Sequence, residues 1–152
     1  MNTVKMKQNG YFGIGILHGK NSINYGTLYR TAQIMGADFI FLIGSRFKRQ
    51  ASDTMKSWKH LPLFEYKDFA DFNDHRPYDC RLVGIEMTEN AIPIKEYKHT
   101  KRVCYLLGAE DNGLTAEAIK KCQDIIYLPG ERSMNVSVAG SIVLFDRITK
   151  LS

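Results

Sequence analysis

Three short polar stretches break the apolar runs of this chain, and each carries groups able to do chemistry. They are "NYGTLYR" (Asn24–Arg30), "LGAEDNGL" (Leu107–Leu114) and "YLPGERSMNVSVAG" (Tyr127–Gly140). In the first, Arg30 is an isolated charge whose nearest charged neighbours in sequence are Lys20 and Asp38. Beside a ligand, its guanidinium would offer a fixed cation and a fork of donors to a phosphate or an alkoxide. Taken alone, such an arginine more often makes a salt bridge or lays its stem on apolar surface. In the second stretch, Glu110 can accept hydrogen bonds from a ligand or from loop backbone, although a polar turn is the simpler account of that stretch by itself. In the third, a Pro-Gly turn leads into a helix start with Ser133 or Asn135 as its cap. The exposed amides of that start can meet a polar or negative group.

The elements that would carry these stretches alternate between strand and helix. "YFGIGILHG" (Tyr11–Gly19), "FIFLIG" (Phe39–Gly44), "RLVGIEM" (Arg81–Met87), "RVCYLLG" (Arg102–Gly108) and "DIIYLPG" (Asp124–Gly130) read as strands. The second is apolar throughout, as a strand buried on both faces should be. Helices are expected over Asn24–Gly36, with Asn24 as cap and Gly36 as stop, over Thr115–Cys122 with Thr115 as cap, and over Asn135–Ile148. Residues 45–80 are less regular; "SRFKRQ" reads as a basic loop and "YKDFADFNDH" as a short helix. The alternation predicts an α/β fold with a mainly parallel sheet flanked by helices. Several of these strands run into glycine (Gly19, Gly44, Gly108, Gly130), and open sheets of this kind bind ligands beyond the carboxyl ends of their strands.

Composition narrows the classes further. A chain of 152 residues, 44% hydrophobic and 24% charged, predicts one soluble domain over 1–152. No apolar run reaches the ~18 residues of a membrane span, and "MNTVKMKQNG" has no signal-peptide core, so a cytoplasmic protein is expected. Cys80, Cys104 and Cys122 lack CxxC spacing, and Cys104 and Cys122, in apolar contexts, read as buried inert thiols. The scattered histidines 18, 60, 75 and 99 give no metal-ligand spacing, so no metal is expected. Residues 1–60 carry nine Lys or Arg against two acids, whereas residues 61–152 carry twelve against fourteen. A one-sided excess of this kind can form a phosphate-attracting face, and Arg46, Lys48 and Arg49 are its best candidates for RNA phosphate contacts. "GIGILHG" superficially suggests a dinucleotide fingerprint, but Gly13 and Gly15 lie inside the strand and no acid ends the second strand. No P-loop is present either.

Together and in order, "NYGTLYRTAQIMGAD", "LLGAEDNGL" and "IIYLPGERSMNVSVAGSIVLFDR" resemble the three motifs of the SpoU/TrmH family of SPOUT-class RNA ribose 2′-O-methyltransferases. The resemblance spans Asn24 to Arg147, and Ser-x-Asn-Val-Ser-Val-Ala is its most specific part. Only Gly-Glu-Arg separates Pro129 from Ser133, a shorter loop than many members carry.

The resemblance implies S-adenosylmethionine as methyl donor, S-adenosylhomocysteine as product, and a structured RNA as substrate; tRNA and rRNA are both open, with tRNA slightly preferred. Arg30 matches the catalytic arginine. Asn24, Ser133 and Asn135 match positions around the same centre, and Glu110 matches the acid of the second motif, expected to order cofactor or loop. Cofactor contacts are implied at Leu107, Gly108, Glu110, Tyr127, Leu128 and Met134. A deep C-terminal trefoil knot is implied by the resemblance alone, because ordinary rules of chain connection disfavour knots. So is a homodimer formed through the knot region; the apolar runs are too short to expect a membrane partner, and no RNA-binding domain is expected beside the 1–152 methyltransferase core. The alternative is a non-catalytic RNA- or S-adenosylmethionine-binding knot protein that has kept the motifs.

Overall fold

The computed structural model describes residues 10–19, 22–44, 61–132 and 134–152, with the side chains of residues 22–24 outside that description. In chain order the elements are β1 (Tyr11–Leu17), α1 (Ser22–Ile34), β2 (Phe39–Ile43), β3 (Leu63–Tyr66), α2 (Phe69–His75), β4 (Arg81–Ile85), β5 (Ile92–Pro93), β6 (Arg102–Gly108), α3 (Ala116–Lys121), β7 (Asp124–Tyr127) and α4 (Val136–Leu151). A 3-10 turn, Ile94–Glu96, follows β5. The strands form one seven-stranded sheet in the order β3-β2-β1-β6-β4-β7-β5, parallel at every pairing. Thus β6 enters between β1 and β4, and β7 between β4 and β5.

Alternation along the strands divides the core into two layers. Phe12, Ile14 and Ile16 of β1, Ile40 and Leu42 of β2 and Val103, Tyr105 and Leu107 of β6 pack with Leu28, Tyr29 and Ala32 of α1 and Val143 and Leu144 of α4. The opposite faces of the strands, with Phe39, Phe41, Ile43, Leu82, Cys104 and Leu106, pack with Phe69 and Phe72 of α2 and Ala118 of α3. On that second face β1 contributes glycine. Gly13 pairs with Phe39 and Gly15 with Phe41, and a Cβ built at either glycine would run into the neighbouring ring. The "GIG" of β1 is therefore a packing device. Gly15→Ala should cost about 1–3 kcal/mol by overpacking. An unchanged denaturant midpoint would contradict this two-layer core.

The differences from the sequence reading have local causes. Helix α1 starts at Ser22, so Asn24 lies in its first turn and is not its cap. The strands of "RLVGIEM" and "DIIYLPG" stop at Ile85 and Tyr127, because the chain turns away to form a cleft. Strands β3 and β5 were not anticipated; both are edge strands, one largely exposed and the other only two residues long. Thr115 caps α3 as expected, its side chain accepting from Ala118 N–H. Cys80 and Cys104 are buried, whereas Cys122 is only half-buried. The neighbouring Cys80 thiol and burial together push Cys104 up, and burial pushes Cys122 up to about 12, which keeps both protonated.

At the pole where β6 begins, α4 is clamped by polar groups. Arg147, fully buried, donates to Thr100 O (2.7 Å), Lys101 O (2.9 Å) and Tyr105 Oη (3.0 Å), and its guanidinium sits 4.4 Å from the Phe12 ring centre. Buried His99 bridges Tyr105 Oη (2.6 Å) and Asp146 (2.7 Å). One proton arrangement satisfies this chain: Arg147 donates to Tyr105, Tyr105 donates to His99 Nδ1, and the His99 Nε2–H donates to Asp146. It requires a neutral imidazole. Burial pulls His99 below its ordinary value, outweighing the raising effect of Asp146.

The unfolded chain therefore binds the His99 proton more readily than the folded one. Stability from this group is full above the unfolded value of about 6.5 and is lost as pH falls toward the lower folded value. The slope is at most about 1.4 kcal/mol per pH unit for one proton. Exposed His75, raised by Asp71, acts in the opposite sense. Urea midpoints of the protein and a His99→Gln variant at pH 7.5 and 5.5 separate the two: the variant should lose the acid-side decline.

Candidate active site

Beyond the carboxyl ends of β4, β6 and β7 lies a cleft of about 600 Å³, closed on one side by the start of α4. Its walls are residues 85–88 from the end of β4, 107–114 from the end of β6, Ile119 of α3, and 127–128, 130–132, 134, 136 and 139 from the end of β7 into α4. The loop after β6 doubles back on its own strand. Gly113 N–H donates to Ala109 O (2.8 Å), and Gly113 takes the left-handed φ of 63°. At Gly108 a Cβ would collide with the backbone of Gly113 and Leu114, so glycine is what lets the loop fold this close.

Asn135 resolves the choice of cap for α4. Its Oδ1 accepts from Ser137 N–H (2.9 Å), Val138 N–H (3.3 Å) and Ser137 Oγ (2.6 Å). Its Nδ2 donates to Glu110 Oε1 (3.3 Å), joining the second polar stretch to the third across 25 residues of chain. Asn135 thus holds the helix start and the acidic loop together with one side chain.

All six residues assigned to the cofactor (Leu107, Gly108, Glu110, Tyr127, Leu128 and Met134) line this cleft. Arg30 is exposed on α1 and is not among the lining residues, so the described groups do not gather it with Glu110 and Asn135. The Asn24 side chain, Ser133, and the basic group Arg46, Lys48 and Arg49 lie outside the described residues. Glu86 was missed by the sequence reading; it lines the cleft and accepts from Leu114 N–H (2.8 Å). The available signal was an acid immediately past a buried strand, at the sheet end where ligands bind.

Gly140 explains part of the small middle of α4. A Cβ there would press on Leu28 of α1, Leu107 and Ile14, so this glycine serves close packing inside the chain. Part of the outer surface shared by α1 and α4 is apolar. Thr27, Met35, Ser137, Val138, Ser141, Ile142 and Phe145 line a second, open groove of about 400 Å³, and Ile34, Val138 and Phe145 are 62%, 50% and 56% exposed. No helix among the described residues is long and apolar enough to cross a membrane.

A parallel sheet with a cleft at its carboxyl edge, walled by glycine-bearing loops and a capped helix, is the architecture in which open α/β proteins hold their ligands. The chain belongs to the SpoU rRNA methylase family, whose model matches residues 14–145. It is 35% identical over 134 residues to a 23S rRNA (guanosine-2′-O-)-methyltransferase of Acinetobacter baylyi, covering 81% of this chain and 53% of that protein. It is 26% identical over 129 residues to the tRNA (guanosine(18)-2′-O)-methyltransferase of Escherichia coli strain K12, covering 81% and 56%. The chain thus spans about half the length of these curated relatives. Its fold also matches an AdoMet-bound rRNA methyltransferase from Sinorhizobium meliloti, with a TM-score of 0.85 at 22% identity over 100% of this chain and 62% of that one.

The residues of the cleft fit an S-adenosyl compound. Its size lies within the ~300–1,000 Å³ of small-ligand sites. Leu107, Leu128, Met134, Val136 and Ala139 give an apolar wall suited to a purine ring, and the close fold of Gly108 on Gly113 brings backbone to the surface. Glu110, Asp111 and Glu131 lie among the lining groups, where carboxylates suit a ligand bearing cationic ammonium and sulfonium centres.

Proposed function

We propose that this protein transfers a methyl group from S-adenosylmethionine to a ribose 2′-hydroxyl of a structured RNA, tRNA or rRNA, with tRNA preferred. The observation that carries this reading is the cleft itself. Within a member of the SpoU family, the six residues assigned to the cofactor converge on one site, and Asn135 ties its acidic loop to α4.

When bound, S-adenosylmethionine supplies an already activated, electrophilic methyl group. Leu107, Gly108, Tyr127, Leu128 and Met134 would hold its adenine and tail, with Glu110 kept in place by Asn135. The remaining difficulty is the weakly nucleophilic hydroxyl, which loses its proton as it attacks. Arg30 is a poor base, because a guanidinium keeps its proton in proteins. Its part is cationic: it grips the phosphate beside the target ribose and lowers the energy of the developing alkoxide. A phosphate oxygen or water takes the proton. Asn24 and Ser133 orient Arg30 and the ribose, and Arg46, Lys48 and Arg49 contact RNA phosphates.

The proposal extends to assembly and topology. The apolar groove between α1 and α4, with Ile34, Val138 and Phe145 exposed, favours a homodimer through this face. In favour of a C-terminal knot stands the entry of β6 and β7 between earlier strands. The activity is tested with purified protein, methyl-labelled S-adenosylmethionine, and tRNA and rRNA fragments. RNA-dependent transfer of label is the expected result. Titration that shows S-adenosylmethionine binding without any transfer would favour the non-catalytic alternative, and failure to bind it would sink both.

A further inference from the structure

We propose that Glu86 is a positioning residue that sets the shape of the cofactor side of the cleft; this rests on the function proposed above. Glu86 lies just past β4 and is fixed to the sheet by its own N–H, which donates to Ile126 O (3.1 Å) of β7. Both carboxylate oxygens are taken by backbone. Oε2 accepts from Leu114 N–H (2.8 Å) and Oε1 from Met87 N–H (3.1 Å). The loop is cut to receive this carboxylate, because a Cβ at Gly113 would run into Glu86 Oε2. Glu86 therefore anchors the far end of the loop after β6 to the neighbouring strand end.

The consequence passes along the loop. Its near end is fixed by Gly108 and the Ala109–Gly113 bridge, and its far end by Glu86. Between them stands Glu110, whose carboxylate meets Asn135 at the start of α4. Removing the Glu86 carboxylate leaves the Leu114 amide without this acceptor and frees the loop to move away from the helix start. With one oxygen on the Leu114 amide and the other on the Met87 amide, Glu86 acts through the loop.

The test compares the unmodified protein with Glu86→Ala and the near-isosteric Glu86→Gln, which keeps one acceptor oxygen. Hydrogen exchange of residues 107–114 reads the loop directly, whether or not a cofactor binds. Titration with S-adenosylmethionine reads the consequence. Glu86→Ala should speed exchange in this segment and raise the Kd for S-adenosylmethionine roughly tenfold to a hundredfold, the range for a lost charged hydrogen bond. Affinity for RNA should change little, and Glu86→Gln should recover most of both effects. Unaltered exchange at 107–114 in Glu86→Ala overturns the proposal. So does a Glu86→Gln variant as impaired as Glu86→Ala, because charge and not anchoring would then be what matters. If the unmodified protein binds no S-adenosylmethionine, the functional reading fails, while the exchange result still decides the role of Glu86.

Discussion

Arg30→Ala should slow methyl transfer about 10²–10³-fold while leaving S-adenosylmethionine binding intact. Arg30 is exposed on α1 and does not line the cleft, so its loss removes none of the walls proposed to hold the cofactor. It removes the cation assigned to the RNA phosphate and to the developing alkoxide. Loss of a donor to an oxyanion typically slows the chemical step about 10²–10³-fold. Arg30→Lys should fall between, because an ammonium keeps the charge but not the two-pronged grip on a phosphate. Single-turnover rates at saturating RNA, with cofactor affinity measured separately, isolate the chemical step. A rate within a few-fold of the unmodified protein would remove Arg30 from the mechanism.

The second large effect is on stability. Arg147→Ala should destabilise the fold by several kcal/mol. The guanidinium is fully buried, donates to Thr100 O, Lys101 O and Tyr105 Oη, and covers one face of Phe12. Alanine would leave three acceptors short of their donor and a void over the ring. Lys101 O keeps the Tyr11 amide and Tyr105 Oη keeps His99. The loss is therefore that of the hydrogen bonds themselves, about 1.5–3 kcal/mol for one to a charged group, a large part of the ~5–15 kcal/mol that holds a domain together. Aspartate 38 would feel the change too. Burial raises its pKa, while the Phe12 amide and the nearby Arg147 charge hold it down. Urea unfolding should show the midpoint falling sharply. A small shift would mean that α4 is held mainly by its apolar contacts.

What the sequence disclosed followed from physical signals of different range. The buried strands β1, β2 and β6 were legible because apolar runs bounded by turn residues are a local signal. The helix start at Asn135 was legible as a choice between two caps, and the structure chose by hydrogen bonding. Edge strands β3 and β5 gave too short a pattern to read. Gly13 and Gly15 gave a signal with the wrong meaning, because their purpose lies in the rings of Phe39 and Phe41 on the next strand. Glu86 gave only its place past a buried strand. Its role depends on Leu114, 28 residues away, and such a contact exists only after folding. The site was legible mainly as motifs, which located the cleft residues without showing how Asn135 and Glu86 lock their loops.

The central claim concerns the atom that receives the methyl group, and alkaline digestion of the product tests it most directly. Alkali cleaves RNA through the free 2′-hydroxyl, so a 2′-O-methyl group protects the adjoining phosphodiester bond. RNA treated with this protein and labelled S-adenosylmethionine should yield label in alkali-resistant dinucleotides, and mass spectrometry of the nucleosides should place the methyl on ribose. Label confined to mononucleotides with the methyl on a base would contradict the account.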